Sequence, residues 1–142
     1  MARNTFALQI ATYITFSVAL SPVHAQPPAI LQEGVRNEAS RIPPSLPGGA
    51  LSPGSRIVIN GLRFPSLPSL YVHAAERTWV VTAIEASLTQ AVWQLPTDLP
   101  PGPASFTLSN DDGESRPYSI LITAQSGGIY SLNGQGWGSA HA

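Results

Sequence analysis

SFTLSNDDGESRPYSILIT, residues 105–123, carries the clearest strand pattern of the chain. Apolar and polar side chains alternate along residues 105–110, and a second alternating run follows at residues 118–123. Alternation with a period of two is typical of a strand with one buried face. Between the runs lies NDDG, residues 110–113, whose glycine tolerates the positive φ that tight hairpin turns need. The stretch therefore predicts an antiparallel β-hairpin.

Earlier in the chain, four more short runs have strand composition: RIVIN at 56–60, LYVH at 70–73, WVVTAI at 79–84 and QAVWQL at 90–95. The first is β-branched and closed by a glycine, which favours a strand buried on both faces or at the centre of a sandwich. The last places Trp93 on one face with Ala91 and Leu95, so we expect Trp93 in the core. Six short strands separated by turn residues predict an all-β sandwich.

Composition excludes several functions. Only 11% of the 142 residues are charged, all seven cations are arginines, and the formal net charge is -1. This balance provides no basic field for nucleic acid. The chain contains no cysteine, which excludes thiol catalysis, cysteine-based zinc sites and disulfides. Its 14 prolines and 12 glycines are too many for a helical bundle and fit a β-protein with many turns.

Residues 1–25 have the pattern of a secretory signal. Arg3 supplies the positive end, residues 6–20 are mostly apolar, and Val23-His24-Ala25 offers a small-residue cleavage site. The run is too short and too polar to anchor the chain in a membrane. We therefore expect a signal helix that is cleaved after Ala25, export from the cell, and no membrane span in the mature chain.

The remaining chain divides by composition into three segments. Residues 26–54 form a proline-rich extended lead-in, which can lie along a sheet only at its edge. Residues 55–125 contain the predicted sandwich strands. Residues 126–142 form a glycine-rich tail in which Ile129, Tyr130 and Leu132 are expected to dock.

The order of these segments resembles the Ig-like modules of the IPT/TIG type found in exported, uncharacterised proteins of Acidobacteria (Solibacter type). The resemblance rests on Pro53-Gly54-Ser55 before a strand closed by Gly61, on the corner at residues 99–102, and on Gly128-Ile129-Tyr130. It implies an Ig-like sandwich that is exported and brings no established catalytic residues. Residues 70–79 lack the usual turn motif, which leaves that hairpin's geometry open. Similar chains usually continue into a second module, so we expect a truncated relative or a one-module version.

Candidate catalytic and metal-binding residues are few. No Gly-x-Ser-x-Gly elbow occurs, and a Ser-His-acid triad would depend on His73 with Glu76 or Glu85. The acids Asp111, Asp112 and Glu114 share one turn, which is typical of a solvated hairpin tip and not of paired catalytic carboxylates or an EF-hand loop. The glycines at 134–138 have no following helix to make a phosphate loop. We expect no enzyme activity, no metal site and no cofactor.

Aromatic residues provide the alternative function. Tyr71, Trp79, Trp93 and Trp137 are candidates for a sugar-stacking platform. Because Trp93 is expected in the core, Trp79 is expected to be more exposed than Trp93, and Tyr71 and Trp79 are the residues expected to contact a ligand. The sequence thus predicts a secreted or cell-surface, non-enzymatic Ig-like interaction module whose partner is a protein or a polysaccharide. The alternative is a small carbohydrate-binding module.

Overall fold

The computed structural model describes residues 26–126, and within them the chain forms β-strands and no helix. The predicted signal at 1–25 and the tail residues from 127 onward, including the candidate Trp137, lie outside the described residues. In the part that is described, no helix is long and apolar enough to cross a membrane. The strands are β1 Ala29–Asn37, β2 Arg56–Leu62, β3 Ser69–Ala74, β4 Arg77–Thr82, β5 Glu85–Ala86, β6 Gln90–Gln94, β7 Gly102–Asn110, β8 Gly113–Glu114 and β9 Tyr118–Ile122.

These strands make two antiparallel sheets. The first sheet has the order β1-β2-β6-β5, and the second has the order β4-β3-β7, with β8 and β9 both paired to β7. One apolar core is shared by side chains from both sheets, and its largest fully buried members include Trp93 from β6 and Phe106 from β7. The architecture is therefore all-β and sandwich-like, as the strand pattern predicts.

The predicted hairpin at residues 105–123 is confirmed. Strands β7 and β9 pair antiparallel with Phe106 opposite Tyr118, and β8 extends the pairing at the turn, where Asn110 lies opposite Gly113. The sequence places the start of this strand too late, because β7 begins at Gly102 and includes Pro103. Proline is tolerated there because β3 pairs with β7 only from Ala104 onward, so no ladder bond on that side needs its missing N–H.

The proline-rich lead-in contributes an edge strand, β1, which pairs only with β2. A bulge interrupts this pairing between Ile30 and Val35. Further along, Leu51 is fully buried in the core and bridges Ile122 at the end of β9. The lead-in thus pairs with the first sheet and also contacts the second, on the side of the molecule where β1 and β9 are the edge strands.

The hairpin of β3 and β4, whose geometry the sequence leaves open, has a two-residue turn. Ala74 lies opposite Arg77, and the two residues between them, Ala75 and Glu76, have φ values of 46° and 61°. Positive φ at both central positions is the type I′ geometry, which matches the twist of the strands but favours Asn-Gly. A side chain with a Cβ is strained in this region.

Replacing Ala75 and Glu76 together by Asn and Gly is expected to raise the free energy of unfolding by about 1 to 2 kcal/mol, because both residues then tolerate the positive φ. Urea unfolding followed by circular dichroism measures the change. As a matched control, Asn-Gly placed at Asp111 and Asp112 should give no comparable gain, because neither of those residues has a positive φ. Equal gains at the two turns would contradict the strain argument.

Candidate functional site

The outer face of the second sheet is the clearest candidate for a binding surface. On each strand the residues that alternate with the core residues point outward. In β3, for example, Leu70 and Val72 are in the core, so Tyr71 and His73 lie on the outer face. The outer-face positions are Ser69, Tyr71, His73, Thr78, Val80, Thr82, Pro103, Ser105, Thr107, Ser109, Ser119 and Leu121.

None of these positions is an aspartate, glutamate, lysine or arginine. Hydroxyl groups predominate, and the exposed apolar side chains Val80 and Leu121, 62% and 60% exposed, lie on the outermost strands β4 and β9. The nearest acid on a paired strand is Glu114 of β8, which lies opposite Ser109 at one corner. Apart from Glu114 at this corner, the strand residues on the outer face of the second sheet include no Asp, Glu, Lys or Arg, and this surface is called the uncharged face below.

The outer face of the first sheet has a different chemistry. Val58 is buried there although it lies outside the core shared by the two sheets, and its neighbours on either side are Arg36 of β1 and Val92 of β6. Around them are charged and amide side chains, namely Arg56, Asn60, Glu85, Gln90 and Gln94. Gln90 Nε2 donates to Asn60 Oδ1 at 2.8 Å, and Arg56 pairs with Glu38 at 2.8 Å. This face has the ionic and amide groups that the outer face of the second sheet lacks.

His73 lies near the middle of the uncharged face, and each of its ring nitrogens is hydrogen-bonded to a threonine hydroxyl group. Its Nδ1 lies 2.9 Å from Thr78 Oγ1, and its Nε2 lies 3.0 Å from Thr107 Oγ1. The imidazole therefore links three neighbouring strands, β4, β3 and β7. A triad would need a serine on one ring nitrogen and a carboxylate on the other. Here threonines hold both positions, while Glu76 lies in the hairpin turn and Glu85 lies in the first sheet.

Tyr71 and Trp79 do not form a common platform. Tyr71 lies opposite Val80 and Thr107, on the outer face, where it is half-buried. Trp79 lies opposite core residue Val72, and opposed residues of an antiparallel pair point to the same side of the sheet. The two rings are therefore on opposite faces of the second sheet.

Trp79 is only partly buried whereas Trp93 is fully buried, so Trp79 is the more exposed of these two tryptophans, as the sequence predicts. The Trp79 side chain packs against the core, and the guanidinium carbon of Arg77 lies 4.7 Å from the centre of the ring. Its Nε1 donates to Asp98 Oδ1 at 3.1 Å. The side chain of Trp79 points toward the core because the two-residue turn at Ala75 and Glu76 sets the register of β4 against β3. One face of the indole lies against the Arg77 guanidinium.

Three surface depressions lie on or beside this face. One of about 410 Å³ lies at the β3–β4 turn, where His73, Arg77 and Ser105 contribute to its lining. Another of about 410 Å³ lies between Pro43 of the lead-in and β9, with Ser119 and Leu121 in its lining. The third, of about 260 Å³, lies between the first residues of the lead-in and the segment before β9, beside Tyr118. Burial raises the pKa of the Tyr118 hydroxyl above its ordinary value, while a hydrogen bond from the backbone of Glu33 lowers it by a smaller amount. Tyr118 stays neutral at physiological pH.

The remaining candidates do not converge on a site. Asp111 and Asp112 are exposed in the β7–β8 turn, where the Asp112 N–H donates to Asn110 Oδ1 at 2.8 Å. Between residues 26 and 126, no group of three or more histidine, aspartate or glutamate side chains is arranged to hold a metal ion.

The sequence-predicted core residue Trp93 is fully buried, which confirms that prediction.

These features define an all-β protein of two antiparallel sheets, with one ionic outer face and one uncharged outer face. Its two candidate aromatic residues lie on opposite sides of the second sheet. No protein-family model matches the chain, and no curated protein matches it either.

Proposed function

We propose that this chain is an exported, non-enzymatic, Ig-like interaction module of the IPT/TIG type that binds a protein partner through the outer face of its second sheet. The single observation that carries the proposal is the absence of Asp, Glu, Lys and Arg from every outward position of β3, β4, β7 and β9. The centres of protein–protein interfaces are depleted of charged residues and enriched in tyrosine. Tyr71 occupies the middle of this face.

Two further features support this surface as a contact area. The apolar side chains Val80 and Leu121 are exposed on its outermost strands, which adds apolar area to the surface. The His73 bridge to Thr78 and Thr107 connects β4, β3 and β7 on this face, so a partner would meet a preorganised surface.

Carbohydrate binding is the second candidate function, and Tyr71 is the observation that favours it. A half-buried ring on a face rich in hydroxyl groups can stack against a sugar. Because Trp79 points to the other side of the sheet, Tyr71 alone would provide this contact.

Site-specific photocrosslinking tests the proposal. A photoreactive amino acid is placed at Ser119 on the uncharged face, and in a second variant at Gln94 on the outer face of the first sheet; both positions are exposed. On source cells irradiated with each variant, we expect one protein adduct from position 119 and none from position 94, as resolved by mass spectrometry. Equal adducts from both positions, or none from position 119, would overturn the proposal.

Binding to insoluble polysaccharides separates the second candidate from the first. Retention on cellulose, chitin or xylan that falls at least about tenfold in Tyr71→Ala, and not in Trp79→Ala, would establish the carbohydrate function, since tenfold corresponds to about 1.4 kcal/mol, the range of one aromatic contact. Absence of retention on all three removes the support for that candidate and leaves the crosslinking result to decide.

A further inference from the structure

Strand β4 is the least protected edge of the two sheets. It runs for six residues, Arg77–Thr82, pairs only with β3, and contains no proline or bulge. The other edge strands are interrupted, very short or bridged by another segment. Strand β1 carries a bulge, β5 has only two residues, and the end of β9 is bridged by Leu51. Native proteins usually block long regular edges in such ways, because an open edge is a template for another strand.

The hairpin register shows which backbone groups of β4 are unpaired. Residues that flank a two-residue turn exchange both backbone hydrogen bonds, and such pairs alternate along an antiparallel ladder. Arg77, Trp79 and Val81 therefore bond to β3, while the N–H and C=O groups of the residues between them point away from the sheet. Those residues are Thr78, Val80 and Thr82, and all three side chains are exposed.

In residues 26–126, no turn or loop forms a backbone hydrogen bond with Thr78, Val80 or Thr82. After β4, the first residue whose backbone forms a hydrogen bond outside the strand ladders is Ala83, whose N–H donates to the Pro68 carbonyl at 3.1 Å. The corner that contains Asp98 reaches β4 through side chains only: Asp98 accepts from the indole of Trp79, and its other oxygen lies 4.0 Å from the Arg77 guanidinium, so the backbone edge stays open.

We propose that β4 of a second copy of this chain pairs with this edge, antiparallel and centred on Val80. In that register Val80 lies opposite Val80 of the second copy, and Thr78 lies opposite Thr82. Each of these three residues then donates and accepts a backbone hydrogen bond, so all unpaired groups of the edge are satisfied. The pairing is a closed two-fold contact, the commonest symmetry of soluble oligomers.

The charges of the strand suit pairing with itself. Arg77 is the only charged residue of β4, and in the register centred on Val80 it lies opposite Ala83. No like charges meet, whereas the β-branched side chains Thr78, Val80 and Thr82 meet one another, which stabilises a cross-strand pair. The pairing also covers Val80, 62% exposed in the single chain. A dimer of this kind joins the second sheets of both copies, and the inference does not depend on the function proposed for their outer faces.

Sedimentation equilibrium of the full chain over a concentration series tests this pairing. We expect a monomer–dimer equilibrium for the unchanged chain and a dissociation constant raised by more than about tenfold in Val80→Lys, because the two lysines lie directly opposite. A mixture of Val80→Lys and Val80→Glu should recover the dimer, since residue 80 faces residue 80. Leu121→Lys, at an equally exposed site of the same face but on β9, is the matched control and should leave the constant unchanged.

Several outcomes would overturn the proposal. A monomer mass at every concentration would show that β4 does not pair with itself, and a dimer that Val80→Lys leaves intact would place the contact elsewhere. Loss of the dimer in Val80→Lys without recovery in the mixture would rule out the register centred on Val80. Circular dichroism of each variant verifies folding, which the exposure of Val80 favours.

Discussion

Trp93→Ala is expected to lower the free energy of unfolding by about 3 to 5 kcal/mol, the cost of removing a large ring from a packed core. Trp93 is fully buried, and its ring meets the ring of Phe64 edge to face with centroids 6.2 Å apart. It also lies opposite Ile57 of β2, on the core side of the first sheet. A loss of this size is a large part of the stability of a domain of this length.

The hydrogen bond of Trp93 adds to this cost. Its Nε1 donates to the Pro68 carbonyl at 3.1 Å within the core, so alanine leaves that carbonyl without its donor. Urea unfolding followed by circular dichroism measures the loss. Trp79→Ala is the matched control, because Trp79 is only partly buried and its Nε1 bonds to an exposed carboxylate, and its loss should be clearly smaller. Equal losses in the two variants would contradict the assignment of Trp93 to the core.

Gly61→Ala is expected to destabilise the protein by about 2 to 3 kcal/mol, because the added methyl group overpacks a site closed by backbone. A Cβ at this position would meet the carbonyl oxygen of Ala29 and the ring of Phe64 far inside van der Waals contact. Gly61 lies opposite Ile30 at the start of β1, and its N–H donates to the Thr89 carbonyl at 2.8 Å. The collision therefore pushes β1 away from β2.

Chemical denaturation gives the magnitude, and hydrogen exchange gives the location, since the amides of β1 should exchange faster in Gly61→Ala. Gly48→Ala is the matched control. Gly48 has a φ of 84° and only the flexible end of Ile42 near its Cβ position, at 3.4 Å, so the cost there is the backbone preference of about 1 kcal/mol. If Gly48→Ala lowers the free energy of unfolding as much as Gly61→Ala does, the steric explanation for Gly61 is wrong.

The interior of the strands was predictable from local sequence. Alternation at residues 90–95 and 105–110 assigns Trp93 and Phe106 to the core, and both are fully buried. The β-branched run at 56–60 also became a central strand, with Ile57 and Val58 buried on opposite faces of the first sheet. These predictions hold because side-chain direction in a strand depends only on a period of two.

The side of the sheet that Trp79 occupies was not predictable in this way. WVVTAI has apolar residues at nearly every position, so its alternation does not tell which set of side chains is buried. The two-residue turn at Ala75 and Glu76 fixed the register, and a one-residue shift would have put Trp79 on the outer face. Neither turn residue is one that sequence rules assign to a type I′ turn.

The sequence by itself determined that the chain is all-β, where six of the strands lie to within a few residues, and that residues 105–123 form a hairpin, because each of these depends on alternation and turn chemistry within a few residues. The tertiary structure decided which strands are neighbours, including the pairing of β2 with β6 and of β3 with β7. Those pairings gather the uncharged positions onto one face and leave β4 at an open edge. Contacts between segments that are distant in sequence determine which strands pair, and no local sequence pattern specifies these pairings.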